Sequence, residues 1–543
     1  MFERELPARP NLAQYKKQAK ELAHACAEHE LEALSRLKRN HPRFHKLSEP
    51  ALRAATSSLT DAQLVLAREH GFESWPKFAG HIETLQLIQA VANLTDPVAA
   101  FIEVATVPRH TNHNSGTLEH AELILARYPQ VARASLYTAV LLADEAAVRS
   151  MVAGDAGAAA RKGGPLGWDP LTYLCFSRYL RLDKERSPAF TRTAKILLDA
   201  GAPAQSGWTE MIDQPTPRPI LESTIYGAAA IAQHVELTKL LLDCGADPND
   251  EETPYHVPET YDNTVLKIML ESGKFNARSL GWLLARKADW HDQDGLRMVL
   301  AHGADANLQL RWGGNAFHHA VRRDNQIGTL TMLLDSGGDP AILSTLGSLS
   351  VTAIAARRGR GDFLQLLEER NLPLGLEGVD RLIAACAMGD RDAIAAMTAQ
   401  EPDLVAQLIA AGGSLLAEFA GNNNVEGVRC LLDLGVPPNA LYIHGDGYFG
   451  IALNSTALHS AAWHGWPEVV RELLARGTAV NAIDGWGRSA LALAVKACVD
   501  SYWKNRRVPD SVAALLEAGA TVEGIEFPTG YDAIDVLLRA YFE

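Results

Sequence analysis

One phrase, Leu-Leu-x-x-Gly-Ala, recurs along the chain and constrains the fold more than any other feature. It stands as LLDAGA at 197–202, LLDCGADPN at 241–249, VLAHGADAN at 299–307 and LLDSGGDP at 333–340. It returns as LLDLGVPPN at 431–439, LLARGTAVN at 473–481 and LLEAGATVE at 515–523. The shared glycines, Gly201, Gly245, Gly303, Gly337, Gly435, Gly477 and Gly519, lie 44, 58, 34, 98, 42 and 42 residues apart. The shortest spacing is one bare unit. The longest holds three units, because LLEERN at 366–371 and MTAQEPDL at 397–404 occupy the missing repeat ends. The remaining spacings are a unit plus an insertion.

Each unit reads alike. An Ala-rich apolar stretch predicts a first helix and the paired leucines a second. Glycine then stops the second helix, because the residue after a helix often takes positive φ, which only glycine adopts cheaply. An Ala-Asp-Pro-Asn-like segment turns the chain into the next unit. One such helix pair cannot bury its own apolar face, so units must stack and share a core. The expected product is an all-α, curved solenoid with a concave groove. Residues 11–39 and 60–88 each read as a helix pair, with Thr60 or Asp61 as N-cap and Gly71 as a stop. The tail from 530 reads as a closing helix, and PLGLEGVD at 373–380 as a joint.

STALHSAAWHGWPEVVRELLARGTAVN at 455–481 resembles a nearly complete ankyrin repeat, and 313–325, 167–180 and 487–495 resemble degenerate copies. The chain is therefore similar to the ankyrin-repeat family, strongly over about 160–525 and weakly before 130. The motif histidine falls on His318 and His459. Its threonine falls on Asp169 and Ser489, and Thr172 replaces the histidine of the first copy. The resemblance implies that His318 and His459 are structural. Phrases such as LAREHGFESWPKF and PYHVPETYDN are similar to a bacterial group of ankyrin-repeat proteins, which implies fold and brings no activity with it. The expected organisation is a helical cap or docking module at 1–90 and divergent helical repeats with a His-rich loop at 91–160. A first array follows at 161–375, and a second with its cap helix at 376–543.

Composition narrows the function. A net charge of −14 disfavours a general nucleic-acid binder, which needs a basic face. No apolar run reaches 18 residues, so no membrane span is expected. The first twenty residues are mixed in charge and do not read as a secretory signal. Six scattered cysteines without a CxxC suggest reduced thiols and a cytoplasmic protein. There is no GxSxG, HExxH, Walker A loop or strand-led GxGxxG, so no cofactor and no metal is called for.

Insertions and polar clusters supply the candidate site. The loop 107–117 offers Arg109, His110 and His113, either as a solvated connector or as a ligand or metal site lacking further ligands. Trp168 is expected on an exposed turn and Tyr173 on the groove side, the latter also suited to packing. The segment 254–263 reads as a stiff loop presenting Tyr255, His256, Tyr261 and Asp262. Asp289, Trp290, His291 and Asp292 close one first helix. Arg311, Trp312, His319 and Arg322 surround another. Stacking aligns these positions into one patch. The insertions at 444–454 (Tyr448, Phe449) and 498–511 (Tyr502, Trp503, Arg506, Arg507) either overhang the groove or pack back on the stack.

Two uses suit the patch. A non-enzymatic scaffold would hold a protein or peptide in the groove through aromatic anchors and arginines, with basic-faced partners favoured by the net charge. Alternatively, 254–324 would take a small molecule, as an enzyme or as an immunity protein that sequesters a toxin or drug. In the enzymatic version His256 or His291 is the general base, Asp262, Asp289 or Asp292 orients it, and Arg311 or Arg322 holds an anion.

Overall fold

The structure, a computed structural model, describes residues 4–7, 9–54, 57–110, 112–155, 157–212, 217–345, 347–501 and 506–542. The chain forms two compact units, 1–250 and 251–543.

The first unit opens with helices Leu12–Ala27, Leu31–Asn40, Leu59–Glu69 and Trp75–Ala92. Their apolar faces bury Leu22, Leu34, Leu37, Phe44, Val65 and Leu66 in one cluster and Tyr15, Phe78 and Ile82 in another. The expected cap at Thr60 or Asp61 is corrected to Ser58. Its hydroxyl accepts from the Asp61 amide at 3.2 Å, and the Asp61 carboxylate accepts from the Ser58 amide at 2.7 Å. This reciprocal box satisfies two amides that a lone cap would leave to water. Further helices follow as far as Val235–Asp243. One antiparallel hairpin interrupts them, Gly207–Ile212 with Arg218–Ser223, pairing Gly207 with Ser223. A side chain at Gly207 would put a Cβ 2.2 Å from the Glu222 carbonyl oxygen, so glycine is required for the strands to close.

In the second unit the helix pairs are regular. Ala277–Asp289 pairs with Gln293–Ala301, Ala316–Arg322 with Ile327–Asp335, and Val351–Arg357 with Gly361–Glu369. Val379–Met388 pairs with Arg391–Gln400, Gly412–Gly421 with Val425–Asp433, and Ala457–His464 with Pro467–Ala475. Ala490–Asp500 with Asp510–Glu517 and the closing helix Asp532–Phe542 complete it. The long glycine gap thus holds three units. Of the segment 373–380, residues 373–378 form a loop between two pairs, and Val379 and Asp380 already open the helix that follows.

Two local devices join the repeats. Gly303, Gly337, Gly435, Gly477 and Gly519 end their helices at φ between +81° and +98°, and Asn371 does the same at +57°. The asparagine after the glycine then clips one repeat to the next. Asn307 donates to the Gly337 carbonyl at 2.8 Å and accepts from the Asp339 amide at 2.8 Å. Asn481 repeats the pattern with Gly519 and Thr521 at 3.2 and 2.9 Å. The two motif histidines act across repeats as well. His318 Nε2 donates to the Leu349 carbonyl at 3.1 Å. His459 Nε2 donates to the Ala482 and Arg488 carbonyls, both at 3.1 Å, while its Nδ1 accepts from the Thr456 amide.

Gly303 faces open space, so alanine there meets strain from the backbone alone. Gly303→Ala is expected to cost about 1 kcal/mol and Gly303→Asn less, read as shifts in the urea midpoint. Equal stability of both variants with the parent would refute the left-handed stop.

Candidate functional site

In the second unit the C-terminal ends of successive first helices carry charge, and the charges interlock. Arg286 Cζ lies 4.2 Å from the Tyr255 ring centroid, and Arg286 pairs with Glu259 and Asp289. Asp289, nearly buried, also accepts from His319 Nε2 and, at 2.8 Å, from Arg323 Nε. Burial pushes the Asp289 carboxyl up, but the His319 hydrogen bond and the Arg286 and Arg323 guanidiniums outweigh it and hold it well below the usual range. One repeat further, Arg358 grips Asp324 with two bonds of 2.7 and 2.8 Å and reaches Glu418 at 3.0 Å and Asp446 at 3.5 Å. Burial raises the Glu418 carboxyl despite Arg358, because Asp324 and Asp446 crowd it with like charge.

The insertion at 444–454 crosses this ladder. Tyr448 donates its hydroxyl to the Asp289 carbonyl at 2.9 Å, and Arg323 Cζ lies 3.5 Å from its ring centroid. Phe449 is buried beside His464. Two cavities flank the insertion. One of about 660 Å³ is lined by Arg322, Arg323, Arg357 and Arg358 over an apolar floor including Ile354, Ile383 and Leu415. The other, about 330 Å³, holds Asp289, Trp290, His291 and Trp463.

The acid–base candidates are separately committed. Burial opposes charge on His256, but Glu252 at 3.2 Å and Glu259 at 3.0 Å outweigh it and push the imidazole up to about 9. It is a fixed cation at neutral pH, which corrects its assignment as a base. The stiff loop expected around it begins as a short helix, Glu252–His256. Asp262 is exposed and accepts from the Thr264 amide at 3.0 Å in a local turn. His291 lines the smaller cavity, where burial drops its pKa to about 4. Asp292 caps the helix Gln293–Ala301 and accepts from the fully buried Lys287 at 2.8 Å. Burial lowers His319, outweighing Asp289.

The aromatic positions divide. Tyr255 and Trp312 gather around the buried Trp282, with Arg311 Cζ 4.4 Å from the Trp282 ring centroid and its guanidinium paired to Glu251 at 3.1 Å. Trp312 stacks on His319. Tyr261 is exposed and meets Trp290 edge-on at 5.7 Å. Arg322 stands in the larger cavity. In the first unit the expectation for Trp168 is corrected: it is only 5% exposed, stacked on Trp208 at 5.4 Å. The hairpin, which the repeat pattern did not foretell, supplies that cover. Tyr173 is buried, donating to the Gly163 carbonyl at 3.0 Å and accepting from the Leu166 amide. His110 and His113 both turn to Glu210, at 3.6 and 3.8 Å, and His113 bonds the Tyr226 hydroxyl. Arg109 pairs with Glu103 at 3.0 Å. Tyr502 and Trp503 lie outside the described residues, and Arg506 Cζ sits 4.5 Å from the Trp466 ring centroid.

Sequence reasoning missed the turns before the first helices. Leu343, Ile443, Ile483 and Trp486 stand 58–67% exposed there, beside the bridges Leu343↔Ser350, Tyr442↔Ser455 and Ile483↔Ser489. The available signal was an apolar residue in the turn that precedes each first helix.

The ankyrin repeat family model matches residues 454–485. Comparison with curated proteins found no match. Among solved structures the chain is similar to the human ASB11 ankyrin repeat domain. Identity is 22%, covering 43% of this chain and 96% of that one, with a TM-score of 0.20. Ankyrin repeats are generally protein–protein interaction modules. Among the described residues, no single helix is long and apolar enough to cross a membrane.

Because the folded pKa of His256 lies above its unfolded value, its ion pairs stabilise fully below about pH 6.5. The contribution fades as pH rises through about 9. His256→Gln should therefore be less stable than the parent at pH 6, and the gap should close by pH 10 in parallel denaturant melts. A gap independent of pH would contradict the cationic assignment. Tyr448→Ala removes a hydrogen bond and a cation–π contact and should cost about 1 to 2 kcal/mol. Faster amide exchange at 444–454 is the local readout, and unchanged exchange there would argue against the tether.

Proposed function

We propose that this chain, an ankyrin-repeat protein, is a cytoplasmic binding scaffold whose second unit takes up a protein partner across its turns and the adjoining groove. The observation that carries the reading is the exposed apolar row Leu343, Ile443, Ile483 and Trp486. Apolar side chains repeated at solvent-facing turns form a contact surface rather than scattered exposure, and tryptophan is a favoured anchor. Arg488 Cζ lies 4.4 Å from the Trp486 ring centroid and restrains the ring in its exposed position. The six free cysteines support a reducing compartment. The commitment of His256 and Asp292 to ion pairs, and of Asp262 to a local turn, weighs against the enzymatic reading.

The test is affinity purification of the tagged full chain after in-cell crosslinking, beside an Ile483→Ser, Trp486→Ala double variant. Both side chains are exposed, so the variant should melt within about 0.5 kcal/mol per site of the parent. Partner recovery is expected to fall at least tenfold. Undiminished recovery would remove the row as the contact surface.

A further inference from the structure

Four arginines line the larger cavity, and three are spoken for. Arg323 donates to Asp289 at 2.8 Å, Arg357 holds Asp380 with bonds of 2.8 and 3.0 Å, and Arg358 holds Asp324. The carboxylates that line the cavity, Glu418 and Asp446, face Arg358. Arg322 makes no hydrogen bond or ion pair among the described residues. It is half-buried on the helix Ala316–Arg322, with burial, Arg323 and Arg358 all disfavouring its charge. A half-desolvated cation without a counterion is an electrostatic vacancy that a ligand anion would fill with charge-assisted bonds.

We propose that Arg322 receives a carboxylate side chain of the partner, from a segment in which Asp or Glu is flanked by apolar residues. This rests on the scaffold reading and names the chemistry of its partner. A single guanidinium matches the single charge of a carboxylate. The floor of Leu349, Ile354, Val379, Ile383 and Leu415 matches the flanking side chains. At about 660 Å³ the cavity has room for several of them. The net charge of −14 concerns long-range steering, whereas Arg322 acts at contact distance.

The test pans a random dodecapeptide display library against the full chain and measures selected peptides by fluorescence anisotropy. Enrichment of Asp or Glu beside Leu, Ile, Val or Phe is expected. Arg322→Gln should weaken those peptides at least tenfold, as should replacing their acid by its amide. The two changes together should cost little more than either alone. The variant should melt no lower than the parent, because it removes a repelled, unpaired cation. Selected peptides that bind Arg322→Gln as well as the parent, or that lack acids, overturn the proposal. If Trp486→Ala abolishes that binding, the scaffold reading survives without it. Octanoate raising the melting temperature of the parent but not of Arg322→Gln, with no peptide enriched, assigns the cavity to a small carboxylate instead. No enriched peptide together with no captured partner overturns both readings.

Discussion

The buried guanidinium of Arg358 holds the middle of the second unit together. It leaves the end of one first helix and meets Asp324 from the preceding repeat, Glu418 from a later one and Asp446 from an insertion. Each group has left water at a cost of several kcal/mol, and only mutual pairing offsets that loss. Burial, together with three carboxylates sharing one cation, is why Glu418 holds a proton more readily than an ordinary glutamate. The Tyr442 hydroxyl donating to Glu418 and the Tyr448 hydroxyl donating to the Asp289 carbonyl place the insertion in the same network. Such a network fixes which repeat faces which. Apolar packing alone, tolerant of sliding, specifies this less sharply.

The repeat architecture was legible because its signals are local. Positive φ at Gly303 or Gly477 and the Asn307 clip are decided by a few neighbouring residues, so spacing reveals them. A second series was hidden. First helices end in the same left-handed conformation at His291, Asp324 and Asn423, as well as at Gly359, Gly389 and Gly465. Because the residue there is not always glycine, no phrase recurs. The stack enforces a conformation that these side chains would not choose alone.

The site was legible only in part, for a related reason. The sequence marks where Arg, His, Asp and Trp gather, and Tyr255, Trp312, Arg311 and His319 do meet. It does not say which charges cancel. His256 is a cation because Glu252, within its helix, and Glu259, just beyond the helix end, both pair with it, whereas His291 is neutral because it is buried. Trp168 shows the same limit: its turn reads as exposed until the hairpin covers it. Whole-chain charge misleads for a similar reason, since it averages over the one arginine whose surroundings matter.

The tether at Tyr448 has an evolutionary consequence. Repeat arrays commonly lengthen or shorten by whole modules, because each module touches only its neighbours. Here a side chain from the loop before Ser455 grasps backbone at residue 289, 159 positions away. Gaining or losing a module between these points would shift the anchor out of reach. That stretch is therefore frozen in number, and variation by duplication is left to the modules outside it.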